Sequence, residues 1–235
     1  MAKAIYIGVG GTARKVKNVY VGVGGVARRV KKAYIGVGGV ARCFYSRDLA
    51  YYGTASALSV GRYRLAATSV GNYALFGGGY NNGTIYSTVD AYSSSLTRST
   101  ATALSLARSD LAATSVGSYA LFGGGMDPYY NEGEDLAKTT VDAYNTSLTR
   151  SIPSALAYRA YYLAATSVGN YALFGGGQYA GTSFSYWAIV NAYNTSLTRT
   201  LPTELSAYCL MNAATTVGSY AIFSNRTTSV TVYAA

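Results

Sequence analysis

The chain carries one fifteen-residue stretch, LAATSVGNYALFGGG, at Leu65–Gly79 and repeats it almost unchanged at Leu111–Gly125 and Leu163–Gly177. A worn fourth copy, NAATTVGSYAIFS, begins at Asn212, so the four starts lie 46, 52 and 49 residues apart. Self-similarity at such a period marks an array in which each unit buries its apolar face against the next. Any fold for this chain must give four nearly identical segments equivalent surroundings.

Each unit divides into four short strands: LAATSVG, NYALFGG, TVDAYS and a less regular SLTRSTATALS. Four strands in about fifty residues is the content of one propeller blade. Composition agrees, since 25 Tyr and 27 Gly punctuate short β-branched and aromatic runs and no apolar stripe of helical period is sustained. The expectation is an all-β chain with almost no helix. Residues 43–235 hold three complete quartets and three C-terminal strands. If the stretch near 49–57 supplies the missing fourth strand, the ring closes as four blades and leaves fewer exposed edges. The alternative is five blades, with residues 42–57 seeding a partial one.

Residues 1–42 follow a different rule, with Tyr6, Tyr20 and Tyr34 recurring every 14 positions in units such as VYVGVGGVARRVKK. Alternating apolar runs on either side of a Gly-Gly pair predict three successive hairpins. A lone hairpin is marginal in water, so packing on another copy or another surface is expected. This arm holds nine cations and no acid, nearly all of the net charge of +10. Arg14, Lys15, Lys17, Arg28, Arg29, Lys31 and Lys32 make it a candidate electrostatic anchor to an assembly partner. Nucleic acid is not expected as that partner, because no recognised binding module accompanies the cations.

Length variation in the repeat is confined to one place. From Val89 to Leu111, Val141 to Leu163 and Val190 to Asn212 the distance is always 22, whereas Phe76 to Val89 is 13, Phe122 to Val141 is 19 and Phe174 to Val190 is 16. All the slack lies between second and third strands, so these loops form a variable surface on a fixed frame. They carry Tyr80, Asn82, Tyr86, Tyr129, Tyr130, Asn131, Tyr179, Tyr186 and Trp187, and the segments between units add Arg62, Tyr63, Arg108, Tyr158, Arg159, Tyr161 and Tyr162. Stiff aromatic rings beside adaptable amides suit recognition of a ligand.

The chain contains no histidine, which removes the usual general base and the commonest transition-metal ligand. Asp127, Glu132, Glu134 and Asp135 match no calcium-loop spacing, and neither a metal nor a cofactor is expected. Asp90 and Asp142 share a third-strand position occupied by Asn191 in the next copy, which argues for a repeated structural contact. Cys43 and Cys209 are expected as free thiols. No apolar run of signal or membrane length follows the start, so secretion by the general route and membrane insertion are not expected.

The body resembles the kelch-repeat β-propeller family. The resemblance rests on the paired glycines after an apolar strand (Gly77-Gly78, Gly123-Gly124, Gly175-Gly176), the Val-Asp-Ala-Tyr type of third strand, and an arginine shortly before the next unit (Arg62, Arg108, Arg159). The family's fourth-strand tryptophan is missing, with Leu96, Leu148 and Leu197 near its place. Kelch-type oxidases need histidine copper ligands, which this chain lacks. The YIGVGGVAR arm leading into a degenerate kelch array is similar to virion and tail-associated proteins of phages and prophages of Gram-positive gut bacteria. That resemblance implies a non-enzymatic, homo-oligomeric virion protein, assembled in the host cytoplasm. The arm would anchor it to the particle, and the loop face would bind a host-surface glycan or protein. A cytoplasmic interaction scaffold and a divergent glycan hydrolase are the alternatives.

Overall fold

In each copy of the repeat, alternate residues of Ala-Ala-Thr-Ser-Val and Tyr-Ala-Leu-Phe-Gly point to opposite sides of a strand, as a period of two requires. A computed structural model of the chain describes residues 6–9, 12–15, 19–23, 25–30, 32–37, 39–46, 51, 53–127, 136–180, 184–208, 213–225 and 228–235. Every regular element among them is a β-strand, and all strand pairs are antiparallel. Among the described residues no helix is long and apolar enough to cross a membrane.

The chain divides into two compact units, one ending at Thr54 and one running from Ala55 to Ala235. The first contains the three expected hairpins: Tyr6–Val9 with Thr12–Lys15, Tyr20–Val23 with Val26–Arg29, and Lys32–Val37 with Val40–Ser46. Val23 pairs with Val26 and Val37 with Val40, so each turn has two residues, and Gly25 and Gly39 take the positive φ such turns require. The third hairpin runs past the composition break at residue 42, because Cys43 and Tyr45 pair back onto Tyr34 and Ala33. In the second hairpin all of Val26–Arg29 is exposed. Arg28, Arg29 and Lys32 are exposed, Arg14 and Lys15 lie on the second strand of the first hairpin, and Lys17 and Lys31 fall outside the described residues.

Among the described residues the larger unit is built on four main sheets. The first comprises Ala66–Val70, Tyr73–Gly77, Val89–Ser93 and Arg98–Ala101 in sequence order. The second repeats this with Ala112–Val116, Tyr119–Gly123, Val141–Asn145 and Arg150–Ser151. The third uses Ala164–Val168, Tyr171–Gly175, Val190–Asn194 and Arg199–Thr200. The fourth stops at three, with Ala214–Val217, Tyr220–Ser224 and Val230–Ala234. The first strands of consecutive sheets lie against one another. Residues 53–58 form no strand and the fourth sheet gains no partner from them, so the closing pair expected near 49–57 is absent among the described residues.

The core lies between sheets, in three clusters that repeat the same side chains. One holds Leu75, Val89 and Phe122, the next Leu121, Val141 and Phe174, and the third Leu173, Val190 and Phe223. Each phenylalanine lies over a glycine of the preceding sheet. A Cβ built on Gly77, Gly123 or Gly175 would stand 2.8 to 2.9 Å from the ring of Phe122, Phe174 or Phe223, closer than any side chain tolerates. Each ring also meets a third-strand tyrosine of its own sheet edge-on, as Phe122 does Tyr144 at 5.8 Å. That tyrosine's hydroxyl ties the sheet to the segment entering it: Tyr92 donates to the Ser56 carbonyl, Tyr144 to Thr102, Tyr193 to Ser154 and Tyr233 to Thr203, at 2.6 to 2.8 Å. Leu96, Leu148 and Leu197 sit in the turn after the third strand, at φ of 60 to 61°, and not in the fourth strand.

Candidate functional site

The segment entering each sheet is held by one repeated bond and, in the first two sheets, by a buried charge pair. The N–H of Ser59, Ser105, Ala157 and Ser206 donates to the side-chain oxygen of Asp90, Asp142, Asn191 and Thr231 respectively. Three residues after Ser59 comes Arg62, which donates to Asp90 Oδ2 at 2.8 Å, to the Gly78 carbonyl at 2.7 Å and to the Phe76 carbonyl at 3.0 Å. Three after Ser105 comes Arg108, whose Nη2 stands 2.7 Å from Asp142 Oδ2 and donates to the Phe122 carbonyl. All four of these side chains are fully buried. Burial alone would raise the Asp90 carboxyl, but hydrogen bonds from Arg62, Ser59 and Arg98 outweigh it and hold the group below the ordinary carboxylate range. Burial lowers Arg108 and Asp142 opposes that shift. The second pair is the less satisfied, because Arg108 Nε and Asp142 Oδ2 have no aligned hydrogen-bond partner.

This geometry corrects two readings of the sequence. Arg108 is no loop-face residue: it is fully buried as the partner of Asp142. Arg159 is not its counterpart in the third sheet either. Three residues after Ala157 stands Ala160, and where the arginine is lost the aspartate has become Asn191. A buried carboxylate without its cation would be strongly unfavourable, so the two positions change together.

Arg159, one residue earlier, is exposed. Beside it the third unit has an aromatic cavity. Thr139, Ala157, Tyr158, Arg159, Tyr179 and Trp187 line an open cavity of about 280 Å³. The Tyr158 ring lies 4.7 Å from that of Trp187 at a 35° tilt, and Tyr179 lies 6.4 Å from the indole on another side. Trp187 Nε1 donates to the Arg159 carbonyl, and the indole also packs against the core between second and third sheets, so its position is fixed. A second, smaller space of about 10 Å³ is lined by Ala160, Asn191, Phe174 and Trp187 among others.

The other units fill the equivalent places differently. Counting from the shared third-strand valine, Trp187 corresponds to Tyr86 and Lys138; counting from the unit starts at Leu65, Leu111 and Leu163, Tyr158-Arg159 corresponds to Val60-Gly61 and Leu106-Ala107. At the first loop the aromatic faces already have a cation, since the Arg64 guanidinium lies 5.6 Å from the Tyr63 ring centre and 6.0 Å from that of Tyr80. Tyr63 and Tyr80 meet edge-on at 5.5 Å, and Arg64 stands 3.6 Å from Asp110. Burial raises the Asp110 carboxyl, against the lowering effect of the Ser109 hydroxyl and Arg64.

The variable loops grip the segments between units. Tyr63 bridges to Tyr80, Ser109 to Met126 and Tyr161 to Gln178. Two of the loops fold as small ribbons, Tyr80–Asn81 with Thr84–Ile85 and Gln178–Ala180 with Phe184–Tyr186, which the residue pattern did not suggest. Of the sequence-derived candidates, Tyr158, Arg159, Tyr179 and Trp187 meet at one cavity. Tyr80 and Tyr86 are half-buried at the first loop, Asn82 is exposed in its turn at φ 46°, and Tyr186 is half-buried at the end of the third-loop ribbon. Tyr129, Tyr130 and Asn131, with most of the acidic stretch, lie outside the described residues. Among the described residues no group of three His, Cys, Asp or Glu is placed to hold a metal. Thr139 and Ala157 were missed, and only alignment of the units at Ser59, Ser105 and Ala157 brings them forward.

No protein-family model matches the chain, and no curated protein matches it.

Proposed function

We propose that the larger unit is a kelch-like propeller array, its four sheets acting as blades, and that it binds a carbohydrate in the aromatic cavity of its third unit. The side-by-side packing of Ala66–Val70, Ala112–Val116, Ala164–Val168 and Ala214–Val217 supports the propeller reading. The observation that carries binding is the cavity itself. Two tyrosines and a tryptophan offer flat apolar faces to the C–H face of a pyranose, while Arg159 and Thr139 supply polar atoms for its hydroxyls. Binding without turnover fits the described buried carboxylates, since Asp90 and Asp142 are taken up in pairs with arginine. The chain is then an adhesive virion protein of a phage or prophage, attached to its particle through the basic arm. The resemblance of its repeats and the arm's charge support that placement.

Trp187 is the single tryptophan of the chain, so its emission reports on the cavity alone. Titration with a panel of bacterial surface oligosaccharides is expected to shift or quench that emission for at least one glycan. Tyr158→Ala should weaken the response by about tenfold or more, the loss of roughly 1–2 kcal/mol typical of an aromatic anchor. Binding that leaves the tryptophan emission unchanged, or a panel with no responding glycan, would overturn the assignment.

A further inference from the structure

The joint between consecutive sheets is one joint made three times. Phe122 rests on Gly77, Phe174 on Gly123 and Phe223 on Gly175, while Thr146 meets Gly71, Thr195 meets Gly117 and Ala235 meets Gly169. Every sheet therefore has a receiving face, which offers glycines, and an inserting face, which offers the phenylalanine. Four sheets and three joints leave one face of each kind over. On the first sheet Phe76 is half-exposed and Ala74 exposed, although Phe122, Ala120, Phe174 and Ala172 are buried. On the fourth sheet Val217 is 60% exposed, Val230 55% and Val232 50%, although their counterparts Val116, Val141 and Ala143 are buried. A Cβ built on Gly218 meets nothing within 4 Å, unlike those built on Gly71, Gly117 and Gly169. If first and fourth sheets met within one chain, these residues would be covered.

We propose that a second copy of the chain covers them, the first sheet of one copy seating on the fourth sheet of another. The two free faces are the complementary halves of a joint the chain already makes, so the contact continues an established interface. It sets Phe76 of one copy over Ser224 of the next, and Ser94 over Gly218. Ser224 carries a Cβ where the internal joints have glycine, so the Phe76 ring must swing aside. That movement costs part of its edge-on contact with Tyr92, 5.7 Å away. The joint between copies is thereby weaker than the three within, and association is reversible. Head-to-tail contacts of this kind close into a ring or extend as a filament. Two copies would bring together eight sheets, within the range of known rings of about four to eight blades.

Cross-linking separates this arrangement from closure within one chain. A Cβ at Gly71 would lie 3.4 Å from Thr146 Cβ, and one at Gly117 the same distance from Thr195 Cβ, near the spacing a disulfide needs. In full-length chains with Cys43→Ser and Cys209→Ser, one carrying Ser94→Cys and the other Gly218→Cys, oxidation of the mixture is expected to give a covalent dimer. Its yield should exceed several-fold that of either chain alone. Ser224→Gly should raise the yield and Val232→Arg abolish it. An intrachain link in Gly117→Cys/Thr195→Cys, an internal joint with its glycine at the same positive φ, confirms that the oxidation works. Given that control, absence of a mixed dimer overturns the proposal, as does a link within single monomers carrying both Ser94→Cys and Gly218→Cys.

Discussion

The second and third sheets share their strands, their inter-sheet phenylalanine and their tyrosine tether, yet they hold the entering segment in opposite ways. In the second, Arg108 and Asp142 meet in full burial. In the third, Ala160 replaces the arginine and one neutral hydrogen bond remains, from Ala157 N to Asn191 Oδ1 at 2.8 Å. The third sheet keeps the fold without the ions, so the charge pair is not required to form the sheet. Where the pair is absent, Ala160, Asn191, Phe174 and Trp187 close around a space of only about 10 Å³. The difference teaches that the frame tolerates either solution, provided both positions change at once.

Breaking one partner should have the largest effect. Asp142→Ala leaves Arg108 buried without a counter-ion and should cost about 3–5 kcal/mol. Asn191→Ala removes one neutral acceptor and should cost about 1–3 kcal/mol. Denaturant unfolding of both variants checks the contrast, and equal losses would mean the ion pair is not what sets the sheets apart. A gentler test converts one sheet into the other. Arg108→Ala with Asp142→Asn should recover much of what either single change loses, with a coupling of about 0.5–3 kcal/mol, the range found for contacting residues. Additive losses would show that the third sheet relies on something besides the paired change.

The smallest effect concerns acid. Because the folded state holds Asp90 below its ordinary value, the carboxylate contributes stability that is present above about pH 4, where unfolded aspartate ionises. That contribution is lost as pH falls through the lower folded value. Asp90→Asn should therefore flatten the acid side of a melting-temperature profile below about pH 4. Asn191→Ala should leave the slope unchanged, since no proton is bound there. A slope unaffected by Asp90→Asn would assign the acid response to other carboxylates.

How much of this was legible follows from what a period can encode. The strands, the glycine turns of the arm and the constant spacing from third strand to next unit all express local pattern, and the all-β reading held. The paired glycines at Gly77-Gly78 and Gly123-Gly124 were legible as a repeated feature, but the phenylalanine of the next sheet that leaves no room above Gly77 and Gly123 was not. The Arg108 reading failed because an arginine in a loop between units looks solvated, and its destination is set by Asp142, 34 residues away. Arg159 misled by one position: the loop before it keeps its length, but the residue type slid along the chain. The aromatic cavity was largely legible, with Tyr158, Arg159, Tyr179 and Trp187 named and Thr139 and Ala157 invisible, because their contribution depends on where a neighbouring sheet ends.

The joint of phenylalanine on glycine also bears on how such a chain changes length. Since every sheet receives and inserts in the same way, excising residues 105–156 would join Leu104 to Ala157, keep Ala160 with Asn191 and bring Phe174 to Gly77, restoring a contact of the same kind. Near-identical coding segments are the substrate of unequal recombination, and here the protein product of such an exchange stays in register. Copy number thus becomes a heritable variable that can shift without inventing a single new interface.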